Sequence, residues 1–183
     1  RHTAPKVSKG VCYGRTDLAL ADSFEQELDV ILNALPQMRV IVTSPLGRCR
    51  VLAHRIGAHV SREVLIATDW QEMDFGSWEG VPWSDIPRAE IDAWAADFMG
   101  YAGHGGESVT ALQTRIARAM RATPDDALVV THAGPIKAAL ALSGDPKGWD
   151  ARPGFGAFVA IQAPGQGRAE KWLRTRRFPA ATV

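Results

Sequence analysis

The sequence predicts an α/β fold in which a mostly parallel central sheet is flanked by helices on both faces. Three observations carry this. Short, apolar, β-branched runs recur at 39–43, 64–67 and 126–131. Segments of helical periodicity alternate with them. The runs are continuously apolar, as strands buried on both faces are.

The elements follow in order. Ser23 and Gln26 have capping-box spacing, and Leu28, Ile31, Leu32 and Leu35 then recur at helical spacing until Pro36 closes the segment. Arg39–Thr43 reads as a buried strand, and Ser44-Pro45 opens a helix to about Ala58 with the proline near its first position. Val64–Ala67 reads as a second strand. The stretch 70–106 differs: it holds four of the six tryptophans and many glycines and prolines. It is expected to be a substrate-side lid, with one helix from Pro82 or Asp85 to Phe98 and a loop at 103–106. A helix from near Glu107 carries Val109, Leu112, Ile116 and Met120 inward. Asp126–Thr131 is a third buried strand, Gly134-Pro135 opens a helix to about Leu142, and strands are expected around 156–162 and 168–174.

With 183 residues, one domain over 1–183 is expected. Hydrophobic residues make up 46% and charged residues 22%, which excludes a disordered or collagenous chain. The charge balance is 21 − 20 = +1, so a strongly basic nucleic-acid binder is not expected. No apolar run reaches the roughly 18 residues of a membrane span, and no signal-peptide pattern is visible. Cys12 and Cys49 are too few for a disulfide scaffold and read as reduced thiols, which suits the cytoplasm. The five histidines show no zinc spacing, and no metal or other cofactor is expected.

Ligands of open α/β sheets bind beyond the carboxyl ends of the strands. That singles out Thr43–Arg48 and Thr131–Pro135. Both are strand–turn–helix junctions, where free N–H groups and the helix dipole suit an anion. Arg48 adds a planar fork of donors matched to phosphate. Taken singly, Arg48 also reads as a solvated arginine and His132 as a hydrogen-bonded strand-end histidine. Glu72 also reads as a surface carboxylate, Arg1-His2 as an unstructured terminus, and Gly105-Gly106-Glu107-Ser108 as an ordinary helix start.

Taken in order, the motifs say more. Arg1-His2-Thr3, Ser44-Pro45-x-x-Arg48, Glu72-x-x-Phe75-Gly76-x-Trp78-Glu79-Gly80, Gly105-Gly106-Glu107-Ser108 and Thr131-His132-x-Gly134-Pro135-Ile136 resemble the histidine phosphatase family, the phosphoglycerate-mutase-like enzymes. The resemblance covers almost the whole chain. It implies that His2 is the nucleophile that becomes phosphorylated, that Arg1 and Arg48 bind the phosphate, and that His132 completes the catalytic phosphate pocket. Glu72 takes the place of the proton donor. Thr3 and Ala133 stand where the family usually has glycine. The family places a hydrophobic strand before Arg-His, so residues upstream of Arg1 are expected in the natural protein.

Within the family, Gly10–Leu20 resembles the α-ribazole phosphatases of the cobalamin pathway. The implied partner is a small phosphate ester, α-ribazole 5′-phosphate, with Tyr13, Trp83 and Tyr101 as candidate substrate contacts. A phosphoglycerate mutase, a broad-specificity phosphatase of the same fold and a catalytically silent binding protein are the alternatives. Phe75–Gly80 lacks the tyrosine, glutamine and lysine cluster of the mutases.

Overall fold

The computed structural model describes residues 1–161. Its centre is a parallel three-stranded sheet of β1 (Val40–Thr43), β2 (Val64–Ile66) and β3 (Ala127–Val130) in the order β2-β1-β3. Ile41 sits opposite Val64 on one side and Leu128 on the other. Because successive strand residues face opposite sides, Ile41 enters one core and Val42 the other. The first core lies under α1 (Phe24–Asn33) and α2 (Gly47–Val60) and holds Leu28, Ile31, Leu52 and Ile56. The second, under α4 (Val109–Ala122) and α5 (Ala133–Leu142), holds Val109, Leu112, Ile116 and Met120. Helices on both faces are the expected architecture. Among the described residues no helix is long and apolar enough to cross a membrane.

Several local expectations change. Ser23 stands at the N-cap position of α1 but makes no side-chain cap bond: its hydroxyl donates to Glu27 and forms no box with Gln26. Glu27 also accepts the Ala4 N–H at 3.0 Å, which ties the start of the helix to the N-terminal segment. Pro45 precedes the first turn of α2, which starts at Gly47 with the Leu46 cap extended. The helix of the 70–106 segment, α3, spans only Arg88–Ala96. Pro87 disfavours helical geometry at Ile86, which holds the start back. Around it Phe75, Trp78, Trp83, Trp94 and Tyr101 interlock edge-to-face and by stacking, with Cys12 and Ile86 beneath.

Residues 156–161 form no strand. Among the described residues their pairing with other segments is confined to two backbone bonds, Gly156 N–H to His2 O at 3.1 Å and Arg1 N to Ala157 O at 2.9 Å. A ladder needs a second extended segment alongside, and none of the described residues runs beside 158–161. The strand expected at 168–174 lies outside the described residues. On the other side of this N-terminal segment, His2 N–H donates to Thr131 O at 2.9 Å. His2 is thus stitched between the end of β3 and residue 156.

Candidate active site

β1 and β3 run parallel, so their carboxyl ends open at one edge of the sheet. Beyond β1 the chain turns through Ser44 into α2, placing Arg48 in its first turn. Beyond β3 it turns at His132, which caps α5. His2 lies beside both, its ring meeting that of His132 edge-on at 5.0 Å between centroids. His2, Arg48 and His132 are all at most 1% exposed.

His2 Nδ1 lies 2.6 Å from Thr3 O. A carbonyl only accepts, so Nδ1 carries the proton and Nε2 keeps its lone pair. Burial, followed by the Arg48 and Arg1 charges, outweighs the Thr3 bond and lowers the His2 pKa to about 3. His132 is pushed the same way by burial first, then by His2 and Arg48. Its Nε2 is 2.8 Å from Ser44 Oγ and 3.4 Å from Cys49 Sγ.

The two arginines are cationic and short of partners. Arg48 donates to Thr16 O at 2.7 Å and Gly14 O at 2.5 Å, and its Nε has no acceptor. Arg1 donates to Pro153 O at 3.0 Å and lies 3.8 Å over the Phe155 ring, and its Nε is also unmatched. Among the described residues neither forms an ion pair with a carboxylate. A buried guanidinium held only by carbonyls leaves charge uncompensated, and an anion is the group that compensates it.

Glu72 completes the set. Its carboxyl accepts the Met73 N–H at 2.9 Å and the Gly134 N–H at 3.1 and 3.2 Å. These bonds and the two arginines favour the ionised form, but burial is larger and raises the pKa above the usual carboxylate range. Gly134 is required here, because a Cβ on it would lie 2.3 Å from Glu72 Oε1. Gly134→Ala is therefore expected to displace the carboxyl and slow turnover by up to ~10²-fold with little change in KM. Steady-state kinetics on one ester checks this, and an unchanged kcat would show that the Glu72 position is immaterial.

Of the candidate substrate contacts, Tyr13 reaches the site, its ring 5.5 Å from the Arg48 guanidinium. Trp83 stacks on Trp94 and is 37% exposed, whereas Tyr101 stacks on Trp78 within the aromatic cluster. Ser44, quoted in a motif without a role, lies beside the site, as do Cys49 and Phe155, which the sequence did not mark as site residues. Sequence reading also missed Arg115, which donates to the carbonyls of Asp69, Gln71 and Glu72 and pairs with Glu107 through two bonds of 2.7 and 2.8 Å. Glu107 is thereby committed to Arg115. The available signal was a charged residue on the apolar stripe of α4, between Leu112 and Ile116.

The buried histidines also tie stability to pH. The unfolded chain takes up their protons as pH falls below about 6.5, whereas folded His2 resists down to about 3. Stability is full above that upper value and declines below it, by up to ~1.4 kcal/mol per pH unit for each histidine. Glu72, with its raised pKa, acts in the opposite sense: its contribution is present where it is neutral and is lost as pH rises. His2, His104 and His132 against one carboxyl leave a net acid loss between about 6.5 and 4.5. Thermal midpoints measured across that range should fall, and more shallowly in His2→Gln. An equal slope in the variant would show that folded His2 protonates freely.

Two arginines without carboxylate partners, a buried imidazole and a buried carboxyl whose pKa is raised gather at a parallel sheet edge, an arrangement that suits an anionic group. The sequence profile of the histidine phosphatase superfamily (branch 1) matches residues 1–155, and the chain belongs to that family. Phosphoryl chemistry on small phosphate esters is accordingly its class of activity. Among solved structures it is similar to TTHB049 from Thermus thermophilus, at 28% identity and a TM-score of 0.75, covering 90% of this chain and 91% of that one. A phosphoglycerate mutase from the same organism is 27% identical with a TM-score of 0.65, over 78% of this chain and 82% of its own. A mycobacterial glucosyl-3-phosphoglycerate phosphatase, at 24% identity, 85% and 84% coverage and a TM-score of 0.70, shares the fold. No curated protein matches.

Proposed function

We propose that the protein is a phosphomonoesterase working through a phosphohistidine on His2. The observation that carries this is the neutral His2 imidazole, its lone pair on Nε2, buried beside two arginines that lack carboxylate partners. In the first step Nε2 attacks phosphorus, the P–N bond forms and the P–O ester bond breaks. Glu72 gives its proton to the departing oxygen. Arg1, Arg48 and His132 hold the three equatorial oxygens, and Thr3 O keeps the Nδ1 proton in place. In the second step the Glu72 carboxylate takes a proton from water as its oxygen attacks phosphorus. The P–N bond breaks and phosphate leaves, restoring neutral His2 and Glu72.

For substrate we propose α-ribazole 5′-phosphate, on the Gly10–Leu20 resemblance together with an aromatic 70–106 segment suited to a planar base. That segment serves as the lid of a single domain over 1–183. The two free buried thiols fit a reducing compartment, the cytoplasm. Release of inorganic phosphate from a panel of ribazole phosphate, phosphoglycerates, sugar phosphates and nucleotides tests the assignment. Isomerisation of a phosphoglycerate without release of phosphate would make the protein a mutase instead. Added chelator should leave the rate unchanged, because the arginines neutralise the phosphoryl charge.

The aromatic residues give a further expected result. If Trp83 faces the leaving group, Trp83→Ala raises KM for the ribazole ester by roughly 2- to 10-fold, the worth of one aromatic contact. KM for a small alkyl phosphate should stay constant. Equal changes for both esters would assign Trp83 to packing alone.

A further inference from the structure

We propose that Glu79 is a positioning residue for Arg48, acting through the single peptide unit between Gly14 and Arg15. The inference rests on the reading of Arg48 as a phosphate ligand. Arg48 is buried without a carboxylate, and two carbonyls of the 14–16 loop hold its guanidinium. Residues 14–16 form no helix or strand, so the direction of those carbonyls must be set from elsewhere.

Glu79 supplies it. The Gly14 C=O and the Arg15 N–H belong to one planar trans peptide and point in opposite directions. The carbonyl end meets Arg48 Nη2 at 2.5 Å, and the N–H end donates to Glu79 Oε1 at 2.7 Å. A carboxylate at one end and a guanidinium at the other polarise the peptide between them, and each strengthens the other's bond. Glu79 Oε2 accepts the Thr16 N–H at 2.6 Å and the Thr16 hydroxyl. The carboxylate also accepts the Phe75 N–H at 3.3 Å, three residues beyond Glu72. One side chain thus joins the loop that holds Arg48 to the segment that carries Glu72. The contact has no slack, since a Cβ on Gly14 would lie 1.8 Å from Met73 O and 3.0 Å from Glu79 Oε1. A glutamine has one acceptor oxygen and would turn an N–H₂ toward these donors.

The test measures inorganic phosphate affinity by calorimetry, and KM for two esters with different leaving groups. It uses the wild type, Glu79→Gln, Glu79→Asp, Arg48→Lys and the Glu79→Gln/Arg48→Lys double variant. Glu79→Gln should weaken phosphate binding roughly 10- to 100-fold, the worth of hydrogen bonds to a charged group. Both esters should lose by the same factor, and the double variant should bind no more weakly than Arg48→Lys alone. Glu79→Asp keeps the charge but shortens the reach. It is read in the same way, and stands in if the glutamine variant does not fold. Wild-type phosphate affinity in folded Glu79→Gln, with only a lower melting temperature, would reduce Glu79 to a loop clamp. So would losses that add in the double variant. If the wild type binds no phosphate, or Arg48→Lys binds it as tightly, the reading of the site itself fails.

Discussion

His2→Ala is expected to lower turnover by roughly 10⁴-fold or more, as loss of an enzyme nucleophile does. The proposed path has two displacements, and the first needs a lone pair that water cannot supply from the same position. His2 is neutral because it is buried beside cations, and Thr3 O fixes which nitrogen is free. Brief incubation of the wild type with radioactive substrate should leave acid-labile, base-stable label on His2. The alanine variant should take up none. A labelled His132, or an alanine variant with substantial activity, would move the nucleophile elsewhere.

Glu72→Gln should slow an alkyl phosphate by ~10²–10⁴-fold, the usual range for general acid–base catalysis. In the proposed path the carboxyl serves as an acid, and burial, which outweighs Met73, Gly134 and both arginines, raises its proton affinity in that sense. Activity on alkyl esters should therefore fall as pH rises through the raised Glu72 value, and this alkaline limb should vanish in the glutamine variant. With p-nitrophenyl phosphate the first step needs no proton. The variant should then show a burst of nitrophenol followed by slow turnover, because the second step still lacks its base. Equal losses for both esters in the burst phase would remove Glu72 from the acid's role. Glu107 is then a poor substitute, being engaged by Arg115, and Asp74, 35% exposed, is the next to test although it accepts the Gly76 N–H at 2.9 Å and pairs with Arg15 at 3.4 Å.

Much of the scaffold was legible because burial imposes periodicity. The runs at 39–43 and 126–131 are mostly apolar because β1 and β3 lie between two helical layers, whereas the equally apolar run at 64–67 became the edge strand β2, on which Leu65 and Ile66 stay 38% and 55% exposed. Val109, Leu112, Ile116 and Met120 are spaced for one helix face, and all four are buried. Where a residue's partner is remote, the pattern carried less. Residues 156–161 look like a strand locally, but strandness is a property of a pair, and among the described residues only 156 and 157 find partners, in His2 and Arg1. Ser23 has a local glutamine available and bonds Glu27 instead, which the Ala4 N–H also engages.

The candidate site divides along the same line. The residue types and their order, from Arg1-His2 through Arg48 and Glu72 to His132, stand in the sequence, and they suffice to indicate the family and its chemistry. Their states do not. That His2 is neutral, that Glu72 holds its proton more tightly than an exposed glutamate, and that Arg48 lacks a carboxylate all follow from what is buried against what. Glu79 and Arg15 are 64 residues apart, and Arg115 and Glu72 are 43 apart. Such contacts leave no mark on local periodicity. Desolvation and free hydrogen-bonding capacity are set by every neighbour at once, and only the folded chain decides which neighbours those are.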